Sequence, residues 1–284
     1  MLPASIQEAI QNFFKETVTQ VDSVHGGDIN EGAKIKLESG DTLFVKWNTD
    51  APDSMFEVEA KGLSLLSDAN TDLVIPNVKL QKSSFLVLDW IQEGGGKPNS
   101  AYNFGVYLAK FHQHSSDSFG LDHDNFIGRL PQSNNRHSNW PDFFTIERIE
   151  PQVKMGVESG KLTSSILRDV QKLYGKVGSI FPTEKPALLH GDLWSGNYML
   201  TKTGGAAIYD PAVYYGHREM ELAMTRLFGG FSANFYEGYN AEFPLEPGFN
   251  ERVNICNLYP ILVHANLFGG SYSRQAENII KRYA

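Results

Sequence analysis

The chain has 284 residues, 41% hydrophobic and 20% charged, with one cysteine and a formal net charge of -8. Apolar and aromatic residues suffice for a sizeable core, which excludes a disordered chain. The acidic balance, with no Lys/Arg cluster, excludes an electrostatic grip on nucleic acid or an anionic membrane. A phosphate-bearing ligand must then be held by a few placed groups and a metal. Cys256 alone cannot form an internal disulfide or a Cys-rich zinc site, and its apolar run Ile255–Leu267 reads as the home of an inert buried thiol.

Met1–Gln20 carries Glu8, Lys15 and Glu16 among its apolar positions, which suits an amphipathic surface helix better than a signal peptide. Ala33–Leu37 and Thr42–Trp47 flank the turn Glu38-Ser39-Gly40-Asp41 and predict a hairpin. A helix is expected over Met55–Leu66, with Ser54 and Glu57 as a capping box, followed by strands at Val78–Gln81 and Phe85–Trp90. Glu93-Gly94-Gly95-Gly96-Lys97-Pro98 reads as a flexible joint. It sets the expected domains at 1–91 and 92–284.

Beyond the joint the pattern turns helical: Asn99–His112, Ser164–Ile180, Glu219–Phe228 and a buried helix over Val253–Phe268 despite Pro260. One strand-like island, Ala187–His190 to Ala206–Asp210, interrupts these as a single hairpin. The expected fold class is α+β: a small antiparallel-sheet lobe with one main helix, then a larger, mostly helical lobe. No segment reaches the length of a membrane span, so a cytoplasmic location follows by elimination, with a monomer as the default.

The sharpest chemical signal is Leu188-Leu189-His190-Gly191-Asp192-Leu193-Trp194-Ser195-Gly196-Asn197. An apolar strand delivers an Asp into a glycine-flanked loop, and an Asn follows five residues later. Phosphoryl transfer to a hydroxyl wants that pair: a carboxylate to take the hydroxyl proton and a neutral carbonyl ligand for Mg²⁺. Asp210, at the end of Ala206–Tyr209, supplies a second carboxylate of the kind Mg²⁺ prefers. Taken singly, Asp192 and Asp210 are ordinary turn residues; the joint spacing favours the phosphotransfer reading.

Lys46 lies mid-strand on the face of Phe44, and Glu59 shares a helical face with Phe56 and Leu63. A lone buried charge is costly, so the economical arrangement pairs them and aims the ammonium at nucleotide phosphates; the alternative is that both reach water from a half-exposed sheet. Gly26 and Gly27, just before the first hairpin strand, would let backbone N–H groups approach phosphate oxygens, though a glycine turn is often only a turn. Trp194 suits either a sugar face or the core. His217, Arg218 and Glu219 either contact a hydroxylated, amine-bearing acceptor or brace the next helix, with bracing favoured for Glu219. Trp140, Phe143 and Phe144 read as core. The eight histidines show no paired ligand spacing, so no zinc site is expected.

With these motifs the chain resembles the fructosamine kinase (ketosamine 3-kinase) family, in the aminoglycoside-phosphotransferase-like branch of the protein-kinase-like two-lobed fold. His190-Gly191-Asp192 with Asn197 belongs to the whole branch. The narrower family's wording is Trp194-Ser195-Gly196, Phe119–Gly128, Asn139-Trp140 with Phe143-Phe144, Asp210-Pro211-Ala212, Tyr215–Glu219 and Leu267–Tyr272. The resemblance implies ATP and Mg²⁺ as cofactors, Asp192 as catalytic base, Asn197 and Asp210 as metal ligands, and Lys46 with Glu59 as the phosphate-positioning pair. It implies adenine contacts from the backbone of Asp89, Trp90 and Ile91. The implied acceptor is a small-molecule ketosamine or a glycated protein, phosphorylated on the sugar 3-hydroxyl to a product that sheds its sugar. Some relatives carry Cys where this chain has Asp28, which excludes a thiol switch there and leaves the added charge unexplained. The competing readings are a kinase of the same fold for an aminoglycoside, choline or homoserine, and a nucleotide-binding module without catalysis.

Overall fold

The computed structural model describes residues 1–24 and 30–284. Gly26, Gly27 and Asp28 of the glycine turn lie outside the described residues. In chain order the elements are α1 (Ala4–Phe14), β1 (Val18–Val24), β2 (Glu31–Leu37), β3 (Thr42–Trp47), α2 (Met55–Asp68), β4 (Val78–Lys82), β5 (Phe85–Asp89) and α3 (Ser100–His112). There follow β6 (Asn125–Ile127), β7 (Leu130–Gln132), α4 (Trp140–Phe143), a π-helical turn (Phe144–Ile149), α5 (Glu150–Glu158), α6 (Ile166–Tyr174) and α7 (Val177–Ile180). The chain ends with β8 (Ala187–Leu189), β9 (Tyr198–Leu200), β10 (Ala206–Ile208), β11 (Tyr214–Gly216), α8 (Glu219–Met224), α9 (Ala233–Glu242), α10 (Phe249–Cys256), α11 (Leu258–Phe268) and α12 (Ser271–Tyr283). No helix among the described residues is long and apolar enough to cross a membrane.

Two compact units emerge: Met1–Ser100 with Gly196–Pro211, and Ala101–Ser195 with Ala212–Ala284. The first is built on an antiparallel five-stranded sheet in the order β1-β2-β3-β5-β4. Strand alternation sends Leu43, Val45 and Trp47 to one face, where they pack with Ile6 and Ile10 of α1. Phe44 and Lys46 point to the other face, where Phe56 and Leu63 of α2 meet Leu86 and Leu88. The capping box at Ser54 does not form: Ser54 already has helical dihedrals and its side chain caps nothing. Glu57 instead pairs with Lys61 one turn on, at 2.7 Å.

The glycine joint is stitched rather than loose. Gly94 N–H donates to Leu200 O at 2.9 Å, Lys202 N–H to Gln92 O at 3.1 Å, and Ser100 Oγ to Gly204 O at 2.9 Å. These bonds draw the β9–β10 hairpin into the first unit, so its edge falls after Ser100. The expected island is therefore not one hairpin. β9 pairs β10, while β8 pairs β11 through Tyr214↔Leu189, a partner the local pattern did not reveal.

The second unit is mainly helical. Trp140, Phe143 and Phe144 are buried, as their spacing predicted, in an aromatic core with Phe119, Phe181 and Tyr214. The helix expected over Ser164–Ile180 breaks into α6 and α7 at Gly175, a poor helix former. The helix expected over Val253–Phe268 breaks at Asn257, which puts Pro260 in the first turn of α11, where a missing N–H costs nothing. The helix from Glu219 stops at Met224, short of Phe228; the Thr225 hydroxyl donates to Leu222 O at 2.7 Å, and Gly229 and Gly230 then take positive φ. Cys256 is fully buried, and burial pushes its thiol pKa well up, as expected of an inert thiol.

Close helix packing fixes one glycine. A Cβ on Gly105 of α3 would sit 2.0 Å from Phe235 O of α9. Gly105→Ala is expected to cost at least ~2 kcal/mol, lowering the thermal midpoint by roughly 4–8 °C. Gly175→Ala, whose Cβ would make only an ordinary 3.5 Å contact, should be neutral or slightly stabilising. Differential scanning fluorimetry of the two variants checks the contrast.

Candidate active site

In the first unit the site is built around a buried ammonium. Lys46, mid-strand in β3 and 4% exposed, lies 3.0 Å from Glu59 Oε1 and 2.8 Å from Asp210 Oδ1. The strand pattern forces the lysine inward, and α2 brings Glu59 over the same face. Burial alone would pull the Lys46 pKa down; the charges of Asp210 and Glu59 more than offset it and hold it above the usual lysine range. Burial, opposed by Lys46 and reinforced by Asp210, raises the Glu59 carboxyl. The structure thus brings the expected pair together and adds Asp210 as a third member.

Asn197 and Asp210 lie at one end of the β9–β10 hairpin. Asn197 immediately precedes β9, Asp210 follows β10, and Tyr209 N–H donates to Asn197 O at 3.1 Å. Asp210 takes φ +57, a left-handed conformation that Asp tolerates better than most residues, and its side chain is 41% exposed. A carboxylate and an amide carbonyl suit a hard cation such as Mg²⁺, which takes its remaining ligands from phosphates and water. Among the described residues no group of three or more His, Cys, Asp or Glu side chains forms a self-contained metal cage. The carboxylate and amide pair fits a Mg²⁺ ion that shares its coordination with phosphate oxygens.

The segment expected to meet adenine runs from the last residue of β5. Asp89 N–H is taken by Asn77 O at 3.0 Å, and its carboxylate pairs with Lys79 at 2.9 Å and Asn77 Nδ2 at 2.7 Å. Trp90 and Ile91 are half-buried, with the Lys34 ammonium 4.9 Å from the Trp90 ring centroid.

In the second unit β8 delivers His190-Gly191-Asp192, and Asp192 is half-buried. Gly191 takes φ +85, and a Cβ there would fall 2.0 Å from Ala212 O, so only glycine fits. Ala212 N–H donates to His190 O at 2.9 Å. On the other side the fully buried Glu221 carboxylate accepts His190 N–H at 3.1 Å and Gly191 N–H at 2.8 Å. It also meets His112 Nε2 at 2.9 Å, while His112 Nδ1 lies 2.8 Å from the Tyr239 hydroxyl. The two ring nitrogens of His112 thus link Glu221 to Tyr239. Burial works against ionised Glu221, but His112 and the loop N–H groups win and hold its pKa below the usual carboxylate value.

Sequence reasoning missed Glu221 and His112. The available signal was an acid inside the otherwise apolar run Met220–Met224, where a charge needs a partner. His217 and Arg218, offered as acceptor contacts, are buried in bracing roles. His217 Nε2 donates to Pro182 O at 3.1 Å, and burial, against nearby Glu184 and Glu219, lowers its pKa. Arg218 clasps Glu184 at 2.7 and 2.9 Å and also donates to Phe243 O and Pro244 O, leaving no guanidinium edge for an acceptor. Glu219 braces through a bidentate pair with Arg252 at 2.5 and 2.7 Å. Trp194 is half-buried, edge-on to Phe228 at 5.9 Å.

A sheet-borne lysine paired to a helix glutamate, a metal-type Asn/Asp pair and a strand-delivered Asp loop define the class as a protein-kinase-like phosphotransferase. Aminoglycoside phosphotransferases share the fold: one solved with streptomycin and ATP superposes with a TM-score of 0.68 at 14% identity, covering 99% of this chain and 97% of that one. The chain belongs to the fructosamine kinase family, whose model matches residues 1–284. A fructosamine-3-kinase-type protein from Thermobifida fusca is 32% identical, with a TM-score of 0.89 and 98% of each chain covered. A Synechocystis protein described as a probable ketoamine kinase is 42% identical over 92% of this chain and 88% of its own. The protein-ribulosamine 3-kinase of Arabidopsis thaliana is 34% identical over 94% of this chain and 83% of its own.

Glu221 gives a pH-dependent prediction. Its folded pKa is depressed, so its stability contribution is present above the unfolded value of 4.5 and is lost as pH falls through the folded one. Glu221→Gln should lower stability by roughly 1–3 kcal/mol at pH 7 and flatten the acid limb of the stability curve below about pH 4.5. Urea melts from pH 7 to pH 3 measure this, and turnover should fall with the loosened loop.

Proposed function

We propose that the chain phosphorylates the sugar 3-hydroxyl of ketosamines with ATP and Mg²⁺, yielding a product that releases the amine and so reverses glycation. The family match across residues 1–284, with Lys46, Asp192, Asn197 and Asp210 all in place, carries this reading.

Asp192 accepts the acceptor's hydroxyl proton and orients the attacking oxygen, held by the backbone clamp of Glu221 and Ala212. Lys46, kept charged by Glu59 and Asp210, presents its ammonium to the nucleotide phosphates. Asn197 and Asp210 would hold Mg²⁺, which would offset negative charge on the phosphoryl oxygens. Adenine recognition falls to the Asp89–Ile91 backbone, without the Asp89 N–H already in use. Phosphate contacts from Gly26 and Gly27 rest on sequence alone. Trp194, two residues past the base, takes the apolar face of the sugar.

Asp192→Ala should lower turnover on a ketosamine by at least ~10²–10⁴-fold while nucleotide still stabilises the protein thermally. Parental turnover in that variant would remove Asp192 from the chemistry. An ADP-release assay across ketosamines, an aminoglycoside, choline and homoserine is expected to give activity on ketosamines alone. Activity confined to another alcohol would move the chain to that substrate class.

A further inference from the structure

The tail motif Leu267–Tyr272 has no part in the chemistry above, yet it completes a row of rings that begins in the catalytic loop. Trp194 meets Phe228 edge-on at 5.9 Å, and Phe228 lies 4.8 Å from His264. His264 continues to Phe268 at 5.7 Å and Tyr272 at 5.1 Å, and those two rings are 6.4 Å apart. Two bonds fasten the row. Ser195 Oγ donates to Phe228 O at 3.0 Å, tying it to the loop, and His264 Nδ1 donates to Pro260 O at 2.8 Å, fixing that ring.

Its outer end is open: Phe268 is 56% exposed, on a helix whose other faces are buried. Among the described residues none of the chain's own Lys or Arg side chains stacks on Trp194, Phe228, Phe268 or Tyr272. Elsewhere Arg148, Arg218, Arg226 and Arg282 do cover aromatic faces, whereas no such pair among the described residues involves these four rings. Such faces attract a ligand cation and the apolar group attached to it.

We infer that Phe268 and Tyr272, reached through Phe228 and His264, form the subsite for the amine side of the acceptor. This deepens the ketosamine reading above and rests on it. In a ketosamine the nitrogen is on C1 and the phosphorylated hydroxyl on C3, so a sugar seated at Asp192 and Trp194 places its protonated amine within one side chain's length of the loop. The substituent on that nitrogen then runs outward along the row. Amine selectivity is set by exposed Phe268 and half-buried Tyr272, while the sugar is selected at Trp194.

The test compares two ribulose ketosamines, of methylamine and of benzylamine, with the parent enzyme, Phe268→Ala and Tyr272→Ala. Each substituted residue lies outside the reacting groups, and Phe268 is exposed, so folding should be kept. Either substitution is expected to raise KM for the benzylamine compound roughly 3–10-fold, with kcat, KM for ATP and KM for the methylamine compound within about twofold. Unchanged KM for benzylamine, or equal shifts for both compounds, overturns the subsite while leaving the ketosamine reading intact. A parent enzyme inert toward both overturns the ketosamine reading and the subsite with it.

Discussion

An ammonium with 4% exposure survives in the sheet because two carboxylates meet it, and the first unit is arranged around that requirement. A buried charge left alone would cost several kcal/mol. Glu59 comes from the neighbouring helix, but Asp210 arrives from 164 residues further along the chain. The β9–β10 hairpin delivers it, bound to the glycine stretch by Gly94 and Lys202. Residues 196–211 therefore join the sheet unit although the sequence around them belongs to the helical one. The same hairpin bonds Asn197 O to the N–H of Tyr209, next to Asp210, so one short element carries both proposed metal ligands.

A second buried charge plays the matching part in the helical unit. Glu221 satisfies two loop N–H groups and His112 at once, which leaves the His190–Asp192 backbone little freedom. Gly191 then turns in a space that a side chain would close. A loop set this way is positioned by backbone constraints before any substrate binds, as the role proposed for Asp192 requires.

What the sequence made legible was whatever local spacing encodes. The Asp192–Asn197 interval, the charge at Lys46 in an alternating strand and the charge at Glu59 on an apolar helix face each announce themselves within a few residues. Pairings set by distant chain did not: β8 with β11 rather than β10, and Glu221 with the N–H groups of His190 and Gly191. Helix breaks at Asn257 and Gly175 were hidden because apolar periodicity continues across them. His217 and Arg218 looked like acceptor contacts for the same reason, since polar residues near a site and polar residues bracing it have the same composition. Only burial and the bidentate clasp with Glu184 separate the two.

The measurement closest to the heart of this account is the structure of the reaction product. Phosphorus and carbon NMR of a ketosamine incubated with enzyme, ATP and Mg²⁺ should show one phosphate on the C3 oxygen per ADP formed, followed by free amine. Phosphate on another hydroxyl, or ADP formed with no phosphorylated sugar, would contradict it.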